Sequence, residues 1–378
     1  MNCKTTNRFY YEKEISERIV NAESIVIYGA RIVANEVANC LMRKPYCCRI
    51  EAFMVSEKEG NPEELLEKPV ITINEGRERF KESLIIVAVL ERYMNEIETS
   101  LHENGFCNIL YFGFESDLWS KIRGNCFRYE SLKKTGKYLT LEEELAKASE
   151  NKKEVHIYSA KCELDQELKD KRTYSWEIPI QVGAALTNKK VCDVRDDLGE
   201  NISAKNRQYC ELTALYWIWK NDKADYTGLC HYRRHFELSV EEITKLGGGD
   251  IDVVVTIPIL NFPSVRETYK NDHCIEDWDV MLDILQKIHP DYYETALKIQ
   301  DGNYYYAYNM FIARKEIVNS YCEWLFPVLD LCALTCSQKS DRYQSRFIGF
   351  LAERLMTIYF VHHRSQWKLV HIKKNYLK

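Results

Sequence analysis

Short apolar runs of strand length alternate with helix-patterned stretches along the first 125 residues. That alternation restricts this part of the chain to a parallel sheet with right-handed crossovers. The runs are SIVIYGA (24–30), RIEAFMVSE (49–57), PVITI (69–73), LIIVAVL (84–90) and NILYFGF (108–114). Helical spacing follows the first run, with Val33, Val37 and Leu41 on one side, and returns from Tyr93 to Asn104 before Gly105. Residues 1–23 read as a charged lead-in helix. The sum is a small Rossmann-like α/β domain over 1–125.

Residues 126–153 are charged and helical in pattern, without a long apolar face, and read as a connector. A second domain, 154–378, opens with the strand VHIYSA (155–160). VCDV (191–194), DYTGLCHY (225–232), DVVVTIPI (252–259) and YNMFIAR (308–314) are further strands. Helices are expected over ELTALYWIWKN (211–221), Asp279–Ile288 up to Pro290, EIVNSYCEWLFPVLDLC (316–332) and SRFIGFLAERLMTIYFVHH (345–363). This second domain is mixed α/β and too large to be an elaboration of the first.

The net charge of −5 gives no basic footprint for nucleic acid. The first twenty residues lack a signal-peptide apolar stretch, and the longest apolar runs fall far short of the roughly 18 residues of a membrane span. Fourteen cysteines without a CxxC pair fit a reduced, cytoplasmic setting better than disulfides or structural zinc. The C-terminal run HHRSQWKLVHIKKNYLK carries basic groups, Trp367 and Tyr376 and no acids. Two readings stay open for it: a solvated tail, or a peripheral contact with anionic lipid.

Gly29 between strand and helix resembles the start of a dinucleotide fingerprint. The second glycine of G-x-G-x-x-G lets a pyrophosphate approach the backbone, and Arg31 stands there instead; Ala34 takes the third place. A structural or interaction module is the favoured reading, with a nicotinamide-dependent oxidoreductase disfavoured.

From His156 onward the segments IPIQVGAAL (178–186), DDLGENISAKNRQYCELTALYWIWKN (196–221), YTGLCHYRRHF (226–236), YNMFIARKEIVNSYCEWLFPVL (308–329) and RFIGFLAERL (346–355) resemble a family of domains of unknown function. That family occurs in bacterial capsular and exopolysaccharide clusters and is taken to comprise glycosyltransferases related to the GT-A fold. The resemblance implies a GT-A-like domain, a nucleotide-sugar donor (UDP-linked, leaning to galactose or galactofuranose) and a glycan or lipid-linked glycan acceptor.

Ligands gather at the carboxyl ends of strands in open α/β sheets, which ranks the polar motifs. Asp250-Ile251-Asp252 is a literal DxD, but it precedes its strand and reads as a turn rather than a metal site. Asp193, Asp196 and Asp197 follow a strand; Asp196 is a candidate donor contact and Asp197 a candidate catalytic carboxylate, against an Asx-turn network as the alternative. Lys205 and Asn206 are candidates for donor phosphate or sugar. His231-Tyr232-Arg233-Arg234 follows a strand where GT-A enzymes carry their DxD, so His231, Arg233 and Arg234 are expected to neutralise a diphosphate without a metal cofactor. His273 and Asp277 are candidate acceptor contacts, and Asn309 a donor contact on the strand that floors the sugar pocket. Glu353 is the candidate general base, with a structural Glu353–Arg354 pair as the equal alternative. A catalytically silent glycan- or nucleotide-binding scaffold remains the competing function.

Overall fold

The computed structural model describes residues 12–150, 152–170 and 172–377. The chain divides into two compact units, one ending at Lys137 and the other running from Tyr138. The stretch expected as a connector does not stand apart. Asp117–Thr135 is one helix of the first unit, capped by Ser116 and ended by left-handed Gly136. Leu141 and Leu145 are buried in the core of the second unit. The lead-in helix is described as Glu12–Val20, and the residues before it lie outside the described ones.

The first unit is a doubly wound sheet. Its strands are β1 (Ile25–Tyr28), β2 (Ile50–Val55), β3 (Glu64–Leu65), β4 (Lys68–Thr72), β5 (Leu84–Val87) and β6 (Ile109–Tyr111), in the order β3-β4-β2-β1-β5-β6. All pairings but β3–β4 are parallel. Fully apolar strands such as IVIY and LIIV are what a parallel sheet covered on both faces requires. Gly29 has φ +122°, and a Cβ there would stand 2.6 Å from the carbonyl oxygen of Ala88. Close approach of β1 to β5 therefore accounts for this glycine without a ligand. Arg31 sits at the N-cap of the helix Ile32–Met42, and its guanidinium donates to the carbonyl of Gly60. This unit should accordingly bind neither NAD nor NADP. Titration calorimetry showing a Kd tighter than about 10 µM, near −7 kcal/mol, would contradict that.

The second unit is built on a mixed sheet. Its strands are β7 (Val155–Lys161), β8 (Glu177–Gln181), β9 (Val194–Arg195), β10 (Tyr226–His231), β11 (Arg234–Phe236), β12 (Val253–Thr256), β13 (Ile259–Leu260), β14 (Tyr304–Tyr305), β15 (Phe311–Arg314), β16 (Leu369–Ile372) and β17 (Lys374–Tyr376). The main path runs β16-β12-β15-β10-β7-β8-β9, with β15 antiparallel to both its neighbours. The hairpin partner of β10, β11, pairs in turn with β17. This is the α/β arrangement expected for the domain. Ile157, Tyr226, Val254, Ile312 and Val370 form one buried face.

Two local expectations change. Pro290 ends the helix Ile275–Ile288 but also opens another, Pro290–Gln300, because the first helical position tolerates a missing N–H. The basic C-terminal run is not a free tail. LVHI pairs with β12, Val370 is fully buried and Trp367 stacks on His363 at 4.4 Å. Helix Lys315–Thr335 is long and apolar enough to cross a membrane by length and composition, and over half of its apolar window is buried within the protein.

Candidate active site

Because β15 is antiparallel to β10, the residues just before β15 emerge at the same sheet edge as the end of β10. Leu229 pairs with Phe311, so Cys230–His231 and Tyr308–Met310 leave the sheet side by side. This is the carboxyl edge of β7, β8 and β10, where ligands of α/β sheets gather.

The edge carries strained backbone. Cys210, Tyr308 and Asn309 have φ values of 51°, 70° and 50°. Each residue held there costs roughly 1–3 kcal/mol and persists only where the surroundings enforce it. The enforcing contacts are polar. Tyr308 N–H donates to Glu353 Oε1 at 2.5 Å, and Tyr308 O accepts from His231 Nε2 at 2.6 Å. Asn309 Nδ2 donates to Glu211 Oε1 at 2.7 Å, and Asn206 Nδ2 donates to Cys210 O at 2.7 Å. The second oxygen of Glu353, Oε2, accepts from Arg354 Nη1 at 2.7 Å. Arg346 Nε lies 3.2 Å from Cys210 Sγ. Asn309 is fully buried, and its Oδ1 has no hydrogen-bond partner among the described residues.

Electrostatically the cluster is tuned by burial. Desolvation pushes the Glu353 carboxyl above its ordinary value, with Arg354 opposing. Desolvation likewise pushes His231 down, with Glu211 opposing. A neutral His231 that donates from Nε2 keeps a lone pair on Nδ1. The guanidinium of Arg234 lies 4.2 Å from the Tyr308 ring centre, and the ammonium of Lys374 lies 5.2 Å from it. Arg233 reaches Tyr376 OH at 3.3 Å and Gln166 Oε1 at 3.2 Å. Such a cluster can hold a polyanion and offer carboxylates to a reacting hydroxyl.

Of the residues expected from sequence, His231, Arg234, Asn309 and Glu353 meet here. Arg233 sits in the same turn. His273 borders the cluster, stacked on Phe350 at 4.0 Å, and burial with the nearby Arg354 pushes its imidazole down to about 3. Asn206 contributes indirectly, by holding the strained Cys210. The other candidates go elsewhere. Asp196 is fully buried and accepts from Gly183 N, Ala184 N and Ser203 Oγ at 2.9, 3.0 and 2.5 Å, which makes it the cap of a turn. That turn starts at left-handed Gly183, where a Cβ would stand 2.7 Å from Asn206 Oδ1. Asp197 is held in a fork by Arg195 at 3.0 and 2.6 Å, beside β9, three strands from β10 and so roughly 14 Å away. Lys205 pairs with Asp330 and buried Asp277 with Lys339, at 2.8 and 2.7 Å. Asp193 is exposed and pairs with Lys190. Asp250 and Asp252 pair with Arg314 at the opposite sheet edge.

Sequence reasoning passed over Cys210, Glu211, Tyr308 and Arg346. Glu211 looks like the first residue of an aromatic helix, and nothing local marks its side chain as turned toward Asn309, 98 residues away.

The model of a family described as a domain of unknown function (DUF4422) matches residues 164–364. No curated protein matches the chain. Among solved structures, the apo form of WbbM, a bifunctional glycosyltransferase, is similar at 28% identity and a TM-score of 0.52. The match covers 60% of this chain and 45% of that one, so the chain spans less than half of the relative's length.

Proposed function

The chain belongs to the DUF4422 family, and on that premise we propose that its C-terminal unit is a glycosyltransferase acting at the carboxyl edge of β10. The single observation that carries this reading is the convergence there of three left-handed non-glycine residues, two carboxylates and a run of basic groups. Backbone strain of this kind collects at functional sites. The likeness to WbbM supports the same class of reaction.

The donor is a nucleoside-diphosphate sugar, and UDP-linked galactose or galactofuranose is the preferred choice. The acceptor is a glycan or lipid-linked glycan of a capsular or exopolysaccharide, extended in the cytoplasm or at the inner face of the membrane. In transfer, the diphosphate departs with added negative charge that cationic side chains or a metal must neutralise. Arg233 and Arg234 offer planar forks for phosphate oxygens, so no divalent metal is required.

Release of uridine diphosphate from UDP-galactose tests the reading. Activity should survive excess EDTA. Arg234→Ala should weaken uridine diphosphate binding by about 10–100-fold, or about 1.5–3 kcal/mol for a lost charged hydrogen bond. Asp252→Ala, at the opposite edge, should leave it unchanged. Abolition by EDTA with recovery in manganese would overturn the role of the basic turn. Tight nucleotide binding with no release from any sugar donor would favour a silent scaffold.

A further inference from the structure

We propose that Glu211 is the carboxylate that takes the acceptor proton, and that Glu353 is a positioning residue. The assignment rests on the glycosyltransferase reading and deepens it. The oxygen inventory of the two carboxylates separates them. Both oxygens of Glu353 are engaged, Oε1 by Tyr308 N–H and Oε2 by the buried Arg354. Glu211 is anchored through Oε1 alone, by Asn309 Nδ2 at 2.7 Å. Its Oε2 accepts no hydrogen bond among the described residues, in a side chain that is 12% exposed. A base needs an oxygen that can reach the reacting proton, so the free oxygen decides.

The support around Glu211 is what a base requires. Cys210, directly before it, is in the left-handed region and held from two sides, by Asn206 through its carbonyl and by Arg346 at its sulfur. Asn309, which grips Oε1, is itself left-handed and fully buried. His231 Nε2 lies 4.0 Å from the same oxygen. Three enforced backbone conformations therefore fix one carboxylate at the edge where β10 ends, and leave its second oxygen without a hydrogen bond among the described residues.

The step balances as a direct displacement. The acceptor hydroxyl oxygen forms a bond to the anomeric carbon of the donor. The bond from that carbon to the phosphate oxygen breaks, and its electron pair leaves on the nucleoside diphosphate. The hydroxyl proton passes to Glu211 Oε2 and afterwards to water. Glu353 keeps Tyr308 and Asn309 in place while this happens.

The experiment measures uridine diphosphate release from UDP-galactose, with water and with an octyl galactoside as acceptors, in the full chain. Glu211→Gln keeps the oxygen that Asn309 grips, so uridine diphosphate affinity and melting temperature should stay at the wild-type values. Turnover should fall by about 10²–10⁴-fold, the range for a lost general base. Glu211→Ala should be equally slow and recover part of its turnover in formate, which supplies a carboxylate that a merely structural role would not use. Turnover of Glu211→Gln within about tenfold of wild type, well short of the effect of a lost base, overturns the assignment and leaves the glycosyltransferase reading standing. Loss of fold in both variants, or a folded Glu211→Ala that ignores formate, overturns it too. A wild-type chain that releases no nucleotide from any uridine diphosphate sugar sinks the reading and the assignment together.

Discussion

Acidification should unfold the C-terminal unit from about pH 6.5 downward, the range in which an unfolded histidine gains its proton. His371 and His273 lead the effect, and His231, His289 and His363, which burial also pushes down, add in the same direction. His371 Nδ1 donates to Leu139 O at 3.1 Å, and its Nε2 accepts from Tyr306 OH at 3.0 Å, which defines a neutral tautomer. Burial pushes it down to about 4. His273, packed between Phe350 and Tyr343, is pushed to about 3 by burial and then by Arg354. Both folded values lie below the unfolded one, so the unfolded chain binds more protons as pH falls. Stability is therefore intact above the unfolded value and is lost on the way down to about 4 for His371 and about 3 for His273. Each group contributes a slope of about 1.4 kcal/mol per pH unit, so the two together reach about 2.7. Urea titrations at pH 7, 6 and 5 measure it. His371→Gln preserves a donor for Leu139 and an acceptor for Tyr306, and should remove about 1.4 kcal/mol per pH unit of the slope. Stability that stays flat between pH 6.5 and 5 would show that these imidazoles are not held neutral.

What the sequence makes legible is whatever depends on short-range periodicity. LIIVAVL and VHIYSA announce covered strands, and the edge rule carries His231-Tyr232-Arg233-Arg234 to the carboxyl edge of β10 without coordinates. What it hides is set by contacts between distant segments. Asp196-Asp197 looks like ligand chemistry, yet Asp196 caps a distant turn instead of forming a local Asx turn: the end of β8 brings Gly183 and Ala184 N–H to it across 13 and 12 residues. Glu211 is the reverse case. Its importance comes from the left-handed Cys210 before it, enforced by Asn206 from the preceding turn and by Arg346 from the start of the last helix. No propensity scale places a cysteine there. The C-terminal strands were obscured by charge, since a run rich in Lys and His masks the four residues of β16 that pair with β12.

Glu353→Ala should destabilise the C-terminal unit by about 3–5 kcal/mol, the range for breaking a buried ion pair by removing one partner. Arg354 is only 3% exposed, with its guanidinium 4.1 Å from the Tyr305 ring centre and 5.1 Å from that of Tyr269. Besides Glu353, its Nη1 donates to Phe350 O at 2.9 Å. Removing the carboxylate strands this charge and also leaves Tyr308 N–H without an acceptor, in a left-handed conformation that already costs energy. Glu353→Gln keeps an oxygen for Tyr308 but turns an N–H₂ toward Arg354, donor against donor. Its loss should therefore be smaller than that of the alanine variant and still measurable, about 1–3 kcal/mol. In the alanine variant the strained Tyr308–Asn309 segment is released, so its donor affinity should weaken together with stability. The denaturant midpoint of the C-terminal transition and the affinity for uridine diphosphate measure the two effects. The opposite pattern is equally clear. Should Glu353→Gln melt and bind like the wild type while turnover drops by about 10²–10⁴-fold, Glu353 is the base and the division of labour with Glu211 is reversed.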